Sequence, residues 1–282
     1  MFSFFKAKAD PKTQLKKILK GYELPSFPAV VMQILQKIRS PYSSAASIAE
    51  SLALDPGISV RLLRIANSAA FSPTKKVENL TQAIALVGIS QLESMVLGVG
   101  VAKGMPKQAC QWHDPGDFWL TSAKRAILAS ELARLICPAK ESECFTAAFL
   151  QDLALPFLAC HRSETYDPIF RKWHLEGGDL AELEREKLEW DHTEVASWIC
   201  AEWGLPENIA AAIRGHHGAE VKDHQALGPV RLVAILREDE ANSGVEEMID
   251  MAVAEYGLDR ETVEAMIEPG FDKAKELARL IV

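Results

Sequence analysis

The chain has 282 residues, of which 48% are hydrophobic and 25% are charged, and its net charge is −8. This composition is that of a globular protein with enough apolar material for a core, and it argues against a disordered chain. An acidic chain is a poor partner for nucleic acid, because contacts with phosphate supply most of the affinity. No stretch approaches 18 uninterrupted apolar residues, so we expect no transmembrane segment.

The five cysteines are an odd number and include no CxxC pair. This usage favours reduced thiols in a cytoplasmic protein over a disulfide framework. Residues 1–20 contain six lysines and one aspartate, and they lack the apolar run of a signal peptide. Contact of this segment with anionic lipid is one possibility, but we expect a basic N-terminal tail that is frayed.

Almost every segment has helical periodicity, and no alternating strand pattern is found. The first helices are expected to begin at Pro28, at Ser43 or Ser44, and at Asp55. Residues 80–102 outline a helix, a glycine and a second helix with a Ser90/Glu93 capping box. The second helix is apolar and has no basic residue before Lys103, so we interpret it as a buried helix and not as a DNA-reading one.

Residues 103–117 contain two prolines and two glycines and predict the main internal boundary. Beyond it we expect a helix over Phe118–Ile136, another over Cys144–Leu158 and a polar helix near 179–188. After Gly218, short amphipathic helices are expected over 228–238, 245–256, 259–267 and 271–281.

The stretch from Glu184 to Gly218 places three histidines near helix ends. Asp191 is a candidate helix N-cap, which puts His192 at the start of a helix. Pro206 predicts the first turn of the next helix, and Gly215 its end, so His216 and His217 follow directly. Because polar side chains can leave the core at helix termini, these histidines are candidate metal ligands.

The pair Gln151-Asp152 interrupts an otherwise apolar helix. A buried carboxylate costs several kcal/mol unless it is paired, hydrogen-bonded or bound to a metal. We therefore expect a partner to reach Asp152, either one of the three histidines or an arginine.

These features resemble the HDOD family, the HD-related output domain. The resemblance is carried by LPSFPAV at 24–30, DPGISVRLLRIANSAAF at 55–71 and QAIALVGISQL at 82–92, together with Asp152 and the later histidines. It covers about residues 22–218. It implies an all-α, two-lobed helical architecture and a role in bacterial signal transduction, without an established general catalytic activity.

The chain departs from HD-type metal-dependent phosphohydrolases at positions where those enzymes carry metal ligands. The resemblance places Thr121 at the first histidine, Gln151 at the histidine of the His-Asp pair, and Ile235 at or near the late aspartate. The remaining residues are Asp152, Glu184, His192, His216 and His217. We expect them to form a hydrogen-bonded polar cluster of a degenerate site, with no stoichiometric metal and no cofactor.

The expected organisation is a tail over 1–20, an HDOD domain over 21–218 and a C-terminal helical extension over 219–282. Its two lobes would cover about 22–102 and 108–218, with the C-terminal helices closing over the second. The leading hypothesis is a non-catalytic regulatory module that binds a signalling protein and that could form a homo-oligomer. The alternative is a metal-dependent phosphohydrolase acting on nucleotides or cyclic dinucleotides.

A third hypothesis is an inactive pocket that still binds a nucleotide. No Gly-rich phosphate loop or clustered arginine pair supports it. For partner binding, the segment 103–117 with Trp112 is a candidate surface, although Trp112 could equally fill the junction between the lobes.

Overall fold

The computed structural model of the chain describes residues 10–68, 71, 73, 75–107, 109, 111, 114–218, 227–237 and 244–281. These residues form α-helices joined by short connections, with one 3₁₀ turn at Pro138–Lys140 and no strand among them. The predicted all-α fold is confirmed.

The N-terminal part of the chain contains six helices. They are α1 (Pro11–Ile18), α2 (Ala29–Arg39), α3 (Ala45–Leu52), α4 (Pro56–Ala66), α5 (Leu80–Val87) and α6 (Ile89–Gly104). The side chains of Ser44, Asp55 and Asn79 each accept a backbone N–H at the start of the following helix. These caps satisfy amide groups that have no partner within the helix, and two of them lie where the sequence predicts helix starts.

The helices beyond residue 114 form the second lobe and the C-terminal extension. They are α7 (Pro115–Ile136), α8 (Glu141–Leu150), α9 (Leu155–His161), α10 (Ser163–Glu176), α11 (Leu180–Lys187), α12 (His192–Glu202), α13 (Glu207–Gly215), α14 (Leu227–Ala234), α15 (Val245–Tyr256) and α16 (Arg260–Ile281). The long helix α7 is the centre of this lobe, because α8, α14 and α16 all pack against it.

The N-terminal tail predicted over 1–20 is wrong for residues 10–20. Asp10 caps helix α1, and Leu15, Ile18 and Leu19 are buried. Helix α1 packs against α12 of the second lobe. The lysines dominate the composition of this segment, but its apolar residues form a helical stripe that the core covers. Residues 1–9 lie outside the described part of the chain.

The Ser90/Glu93 capping box predicted at the start of α6 is also wrong. The helix begins at Ile89 after Gly88, whose φ of 82° lies in a region that favours glycine, and no side chain caps it. Glu93 instead accepts a hydrogen bond from Arg39 Nε at 2.6 Å. The apolar residues Met95, Val96 and Leu97 are buried, as expected for a core helix.

The single helix predicted over 144–158 is divided into α8 and α9. A turn at residues 151–154 separates them, and Asp152 lies in this turn. Apolar residues continue on both sides of the break, and its signals in the sequence are the polar pair Gln151-Asp152 and Pro156 in the first turn of α9. The break matters for the site because it turns the Asp152 carboxylate out of the helical register.

At the C-terminus, the two helices predicted over 259–267 and 271–281 form the one helix α16, which contains Pro269. This helix packs along α7 and also contacts α4 and α6 of the first lobe. The C-terminal helix α16 therefore packs on the second lobe and reaches the first lobe as well. Helix α10 lies in a segment for which the sequence predicted no element.

Among the described residues, the run Pro138–His161 is long and apolar enough to cross a membrane by length and composition. The bent pair Leu80–Val87 and Gln91–Gly104 passes the same test only when the two helices are taken together. In the first run, 83% of the apolar window is buried inside the fold. A core helix of a soluble domain gives the same signal.

Candidate functional site

The candidate site lies where several elements of the second lobe converge. The turn after α8 supplies Asp152, and the N-terminus of α12 supplies His192. The end of α13 supplies His216 and His217. These four residues, here called the four-residue cluster, offer ligand atoms that all lie within 4.8 Å of one another.

Local sequence explains why the histidines meet. The Asp191 side chain accepts the backbone N–H groups of Thr193 and Glu194, which fixes the start of α12 and makes His192 its first residue. Gly204, with φ 65°, lets the chain reverse between α12 and α13. Helix α13 packs against α12, and its C-terminal end lies beside the first turn of α12, where the Nε2 atoms of His216 and His192 are 3.3 Å apart.

Three atoms form the closest part of the four-residue cluster. Asp152 Oδ1 lies 3.4 Å from His192 Nε2 and 3.3 Å from His216 Nε2, and the two ring nitrogens are 3.3 Å apart. Asp152 Oδ1 is buried, and although these distances are short, it accepts no well-directed hydrogen bond from a described residue. The three atoms thus form a compact triangle of acceptor-type groups.

Each histidine ring is held at its other nitrogen. His192 Nδ1 donates to Glu184 Oε2 at 2.7 Å, and His216 Nδ1 donates to the carbonyl oxygen of Ile213 at 2.5 Å. His217 Nδ1 donates to Asp179 Oδ2 at 2.6 Å. These hydrogen bonds fix the tautomers and leave the Nε2 atoms without a hydrogen in the neutral rings. Acceptors of this kind behind a histidine are characteristic of metal ligands.

Arg125 of α7 is the residue of the site that the sequence did not identify. Its Nη1 bonds Asp152 Oδ2, and its Nε and Nη2 donate to the carbonyl oxygen of Leu236 at 3.2 and 2.5 Å. The pair is buried, with 6% of the Arg125 side chain and 10% of the Asp152 side chain exposed. The sequence required a partner for Asp152 and allowed an arginine, but nothing in a single sequence distinguishes Arg125 from other arginines.

The structure separates the predicted site residues into two groups. It brings Glu184 to His192, as the sequence suggested, and Ile235 lines the same pocket. Thr121 is buried in α7 one turn before Arg125 and does not line the pocket. Gln151 is buried, and its amide bonds to no residue that the structure describes.

The charges of the cluster shift its pKa values in opposite directions. Burial raises the pKa of Asp152, but the Arg125 charge outweighs it and holds that pKa well below its ordinary range. Burial lowers the pKa of His192, but the Glu184 carboxylate outweighs it and raises that pKa well above its ordinary range. Burial lowers the pKa of His216 to about 4. Without a metal, a proton on His192 Nε2 can therefore lie between the two rings.

A pocket of about 320 Å³ opens in front of the four-residue cluster. Arg231 and Arg237 are among the residues that line it. Arg237 lies over the ring of Trp173, 5.4 Å from its centroid, and donates to the carbonyl oxygen of Gly178 at 3.0 Å. Arg231 lies in α14 and Arg237 in the residues after it, and the six-residue spacing between them gave no signal that both line one pocket.

The wider HD family implies a divalent metal, so the residues present must be tested against one. The buried Asp152 Oδ1 without a hydrogen bond and the two free Nε2 atoms fit a single ion. Thr121, Gln151 and Ile235 do not extend this set, because isoleucine has no ligand atom and Thr121 does not reach the pocket. Such an ion, when bound, would supply positive charge to the three acceptors.

The HDOD domain profile matches residues 24–219, and the chain belongs to the HDOD family. This confirms the resemblance drawn from the sequence motifs. A curated relative from Treponema pallidum, which has no named function, is 22% identical over 206 residues. The match covers 69% of this chain, and the chain spans 38% of that relative's length.

Solved structures with the same fold include proteins of unsettled role. A candidate phosphohydrolase from Shewanella amazonensis superposes with a TM-score of 0.75 at 20% identity, over 97% of this chain and 98% of its own. An HDOD domain protein of unknown function from Geobacter sulfurreducens superposes with a TM-score of 0.73 at 18% identity, over 96% of this chain and 98% of its own. A candidate signal transduction protein from Marinobacter aquaeolei superposes with a TM-score of 0.74 at 16% identity, over 97% of this chain and 66% of its own. At these identities the likeness establishes the fold alone.

Proposed function

We propose that this chain is a regulatory module of bacterial signal transduction that acts by binding a protein partner and catalyses no hydrolysis. The observation that carries this proposal is the buried ion pair between Arg125 and Asp152. Asp152 is the only carboxylate in the four-residue cluster, and its Oδ2 atom is bonded to the positively charged guanidinium of Arg125.

A metal-dependent phosphohydrolase needs an ion with an open position, where a bound water is activated. HD-type hydrolases draw on further ligand positions, which here are Thr121, Gln151 and Ile235. Arg125 adds a fixed positive charge on the side of Asp152 that faces away from the histidines. This charge opposes a second metal ion held through Asp152 Oδ2, because that oxygen is already bonded to Arg125 and like charges at short range in a buried site repel strongly.

The family supports a signalling role, and one of the similar structures is a candidate signal transduction protein. Another is a candidate phosphohydrolase, so the choice between the two functions depends on the residues of this site. One observation favours the alternative function. Arg231 and Arg237 at the pocket mouth would suit a phosphorylated substrate. A substrate pocket without a competent metal centre still performs no hydrolysis.

The proposal is tested in the native host by replacing the gene with variants and comparing each strain with the deletion strain. Arg125→Met, Asp152→Asn and His192→Gln together remove the hydrolytic candidates without leaving the charge of either Arg125 or Asp152 buried and unpaired. If the variant protein accumulates at the wild-type level, we expect the signalling phenotype of the wild type. A variant strain that behaves like the deletion strain despite normal protein levels would overturn the proposal.

A further inference from the structure

We propose that the four-residue cluster binds one divalent transition-metal ion of the zinc class, in a closed site that ties helices together. This goes beyond the proposed function, because such a site stabilises the fold and performs no chemistry. From the sequence we expected a cluster without a stoichiometric metal, and that prediction stays untested. The geometry of the four residues points instead to a bound ion.

The first reason is the orientation of the three rings. His192, His216 and His217 each use Nδ1 for a hydrogen bond, to Glu184, Ile213 and Asp179 respectively. The Nε2 atoms of His192 and His216 therefore face each other at 3.3 Å, and the His217 ring lies beside both rings, with centroids 5.0 and 4.4 Å away.

The second reason is the spacing of the acceptors. The atoms Asp152 Oδ1, His192 Nε2 and His216 Nε2 are separated by 3.3 to 3.4 Å. Ligands about 2.0–2.1 Å from a tetrahedral ion lie about 3.4 Å apart, so the triangle has the size of one face of such a site. Asp152 Oδ1 is buried without a hydrogen bond, which is costly unless a cation completes it.

The third reason is the number and kind of ligands. Three imidazoles and one carboxylate suit zinc, nickel or cobalt, whereas magnesium and calcium prefer oxygen ligands. With His217 as the fourth ligand, every position of a tetrahedral ion is taken by protein, which is typical of structural zinc sites. The ion would join the α8–α9 turn to the facing ends of α12 and α13.

Arg125 limits the site to one ion. Its guanidinium bonds the outer oxygen of Asp152, so this carboxylate cannot bridge two cations. Arg125 also orients Asp152, because with Oδ2 fixed the other oxygen faces the histidines. We assign Arg125 as a positioning residue of the ion site.

The experiment is a titration of the full chain, purified and stripped with a chelator, with zinc chloride in a calorimeter. Cobalt chloride provides a second readout, since its visible absorption reports a four-coordinate site. We expect one ion per chain and a higher melting temperature with zinc, because a ligand that binds only the folded state stabilises it. His217→Ala, at the partly exposed edge of the cluster, should weaken binding at least tenfold.

His174→Ala is the matched control, since it removes an exposed histidine outside the cluster and should bind zinc as the wild type does. Should the other ligand variants fail to fold, His217→Ala and His174→Ala still decide the question. Absence of saturable binding to the folded wild type would overturn the proposal. Two ions per chain, or equal weakening by both variants, would overturn it as well.

Discussion

His192 and Glu184 are joined twice by the same carboxylate oxygen. The ring Nδ1 and the backbone N–H of His192 both donate to Glu184 Oε2, each at 2.7 Å. The other oxygen, Oε1, accepts a hydrogen bond from the hydroxyl of Tyr166 at 2.8 Å. Glu184 is fully buried, so this carboxylate is held by three donors and fixes both the ring and the start of α12.

Glu184→Gln tests this arrangement. The amide keeps the size of the side chain but loses the charge, and its NH₂ group faces one of the donors. We expect a loss of about 1–3 kcal/mol in the free energy of unfolding, the cost of leaving buried polar groups unsatisfied. Urea denaturation measures it. Glu182→Gln, an exposed position on the same helix, should change stability little, and equal effects of the two variants would contradict the role of Glu184.

Arg125→Met tests the buried ion pair. The variant leaves Asp152 as a buried carboxylate without its cation, and we expect a loss of about 3–5 kcal/mol. Adding Asp152→Asn to the variant should recover part of this loss, because the unpaired charge is then gone. Arg134→Met is the control on the same helix, since its ion pair with Glu141 is largely exposed and is worth about 1 kcal/mol or less. No recovery in the double variant would contradict the account.

Trp203→Ala tests the junction between the lobes. The indole Nε1 donates to the carbonyl oxygen of Pro25 at 2.9 Å, and the ring contacts Phe27 and Phe157. Truncating this buried ring should cost about 3–5 kcal/mol. Trp198→Ala, which removes a half-buried ring from α12, should cost clearly less in the same thermal or chemical melt. A larger loss for Trp198→Ala would show that the junction lies elsewhere.

Asp55→Asn tests an ion pair that joins α4 to the end of α6. Lys103 Nζ donates to Asp55 Oδ2 at 2.7 Å, and this hydrogen bond lowers the pKa of Asp55. Asparagine caps a helix about as well as aspartate, so the variant removes the ion pair and keeps the cap. Because the pKa is lower in the folded state, the contribution is present above pH of about 4 and is lost as pH falls further.

We therefore expect the wild type to exceed Asp55→Asn in stability near pH 7 by about 1 kcal/mol or less. The difference should shrink in acid and in high salt. Urea denaturation of both proteins across this pH range measures it. A difference that grows in acid would contradict the assignment.

The sequence predicted the helical class and most helices of the fold because apolar periodicity and helix caps are local signals. Asp55 and Asp191 are examples, and each caps the helix that follows it. The burial of α1 was missed, because six lysines in residues 1–20 masked the stripe of Leu15 and Ile18. The break between α8 and α9 was missed because the apolar pattern crosses it without a glycine or a proline before Pro156.

Within the site, the sequence identified Asp152, Glu184 and the histidines, which lie on recognisable helix ends or in an apolar run. It missed Arg125, because pairing over 27 residues is a tertiary contact that leaves no local pattern. It also missed Arg231 and Arg237 in the lining of the pocket. Trp112, considered as a junction or partner residue, lies outside the described residues, whereas Trp203 makes an inter-lobe contact.

The central claim, that this chain catalyses no hydrolysis, is tested most directly by phosphodiesterase turnover. The purified chain is loaded in turn with zinc, manganese, iron, nickel and magnesium, and is assayed with bis(p-nitrophenyl) phosphate and with cyclic dinucleotides. We predict the same rate for the wild type and for Asp152→Asn, at the level of buffer with metal. Metal-dependent turnover by the wild type that Asp152→Asn abolishes would contradict the account.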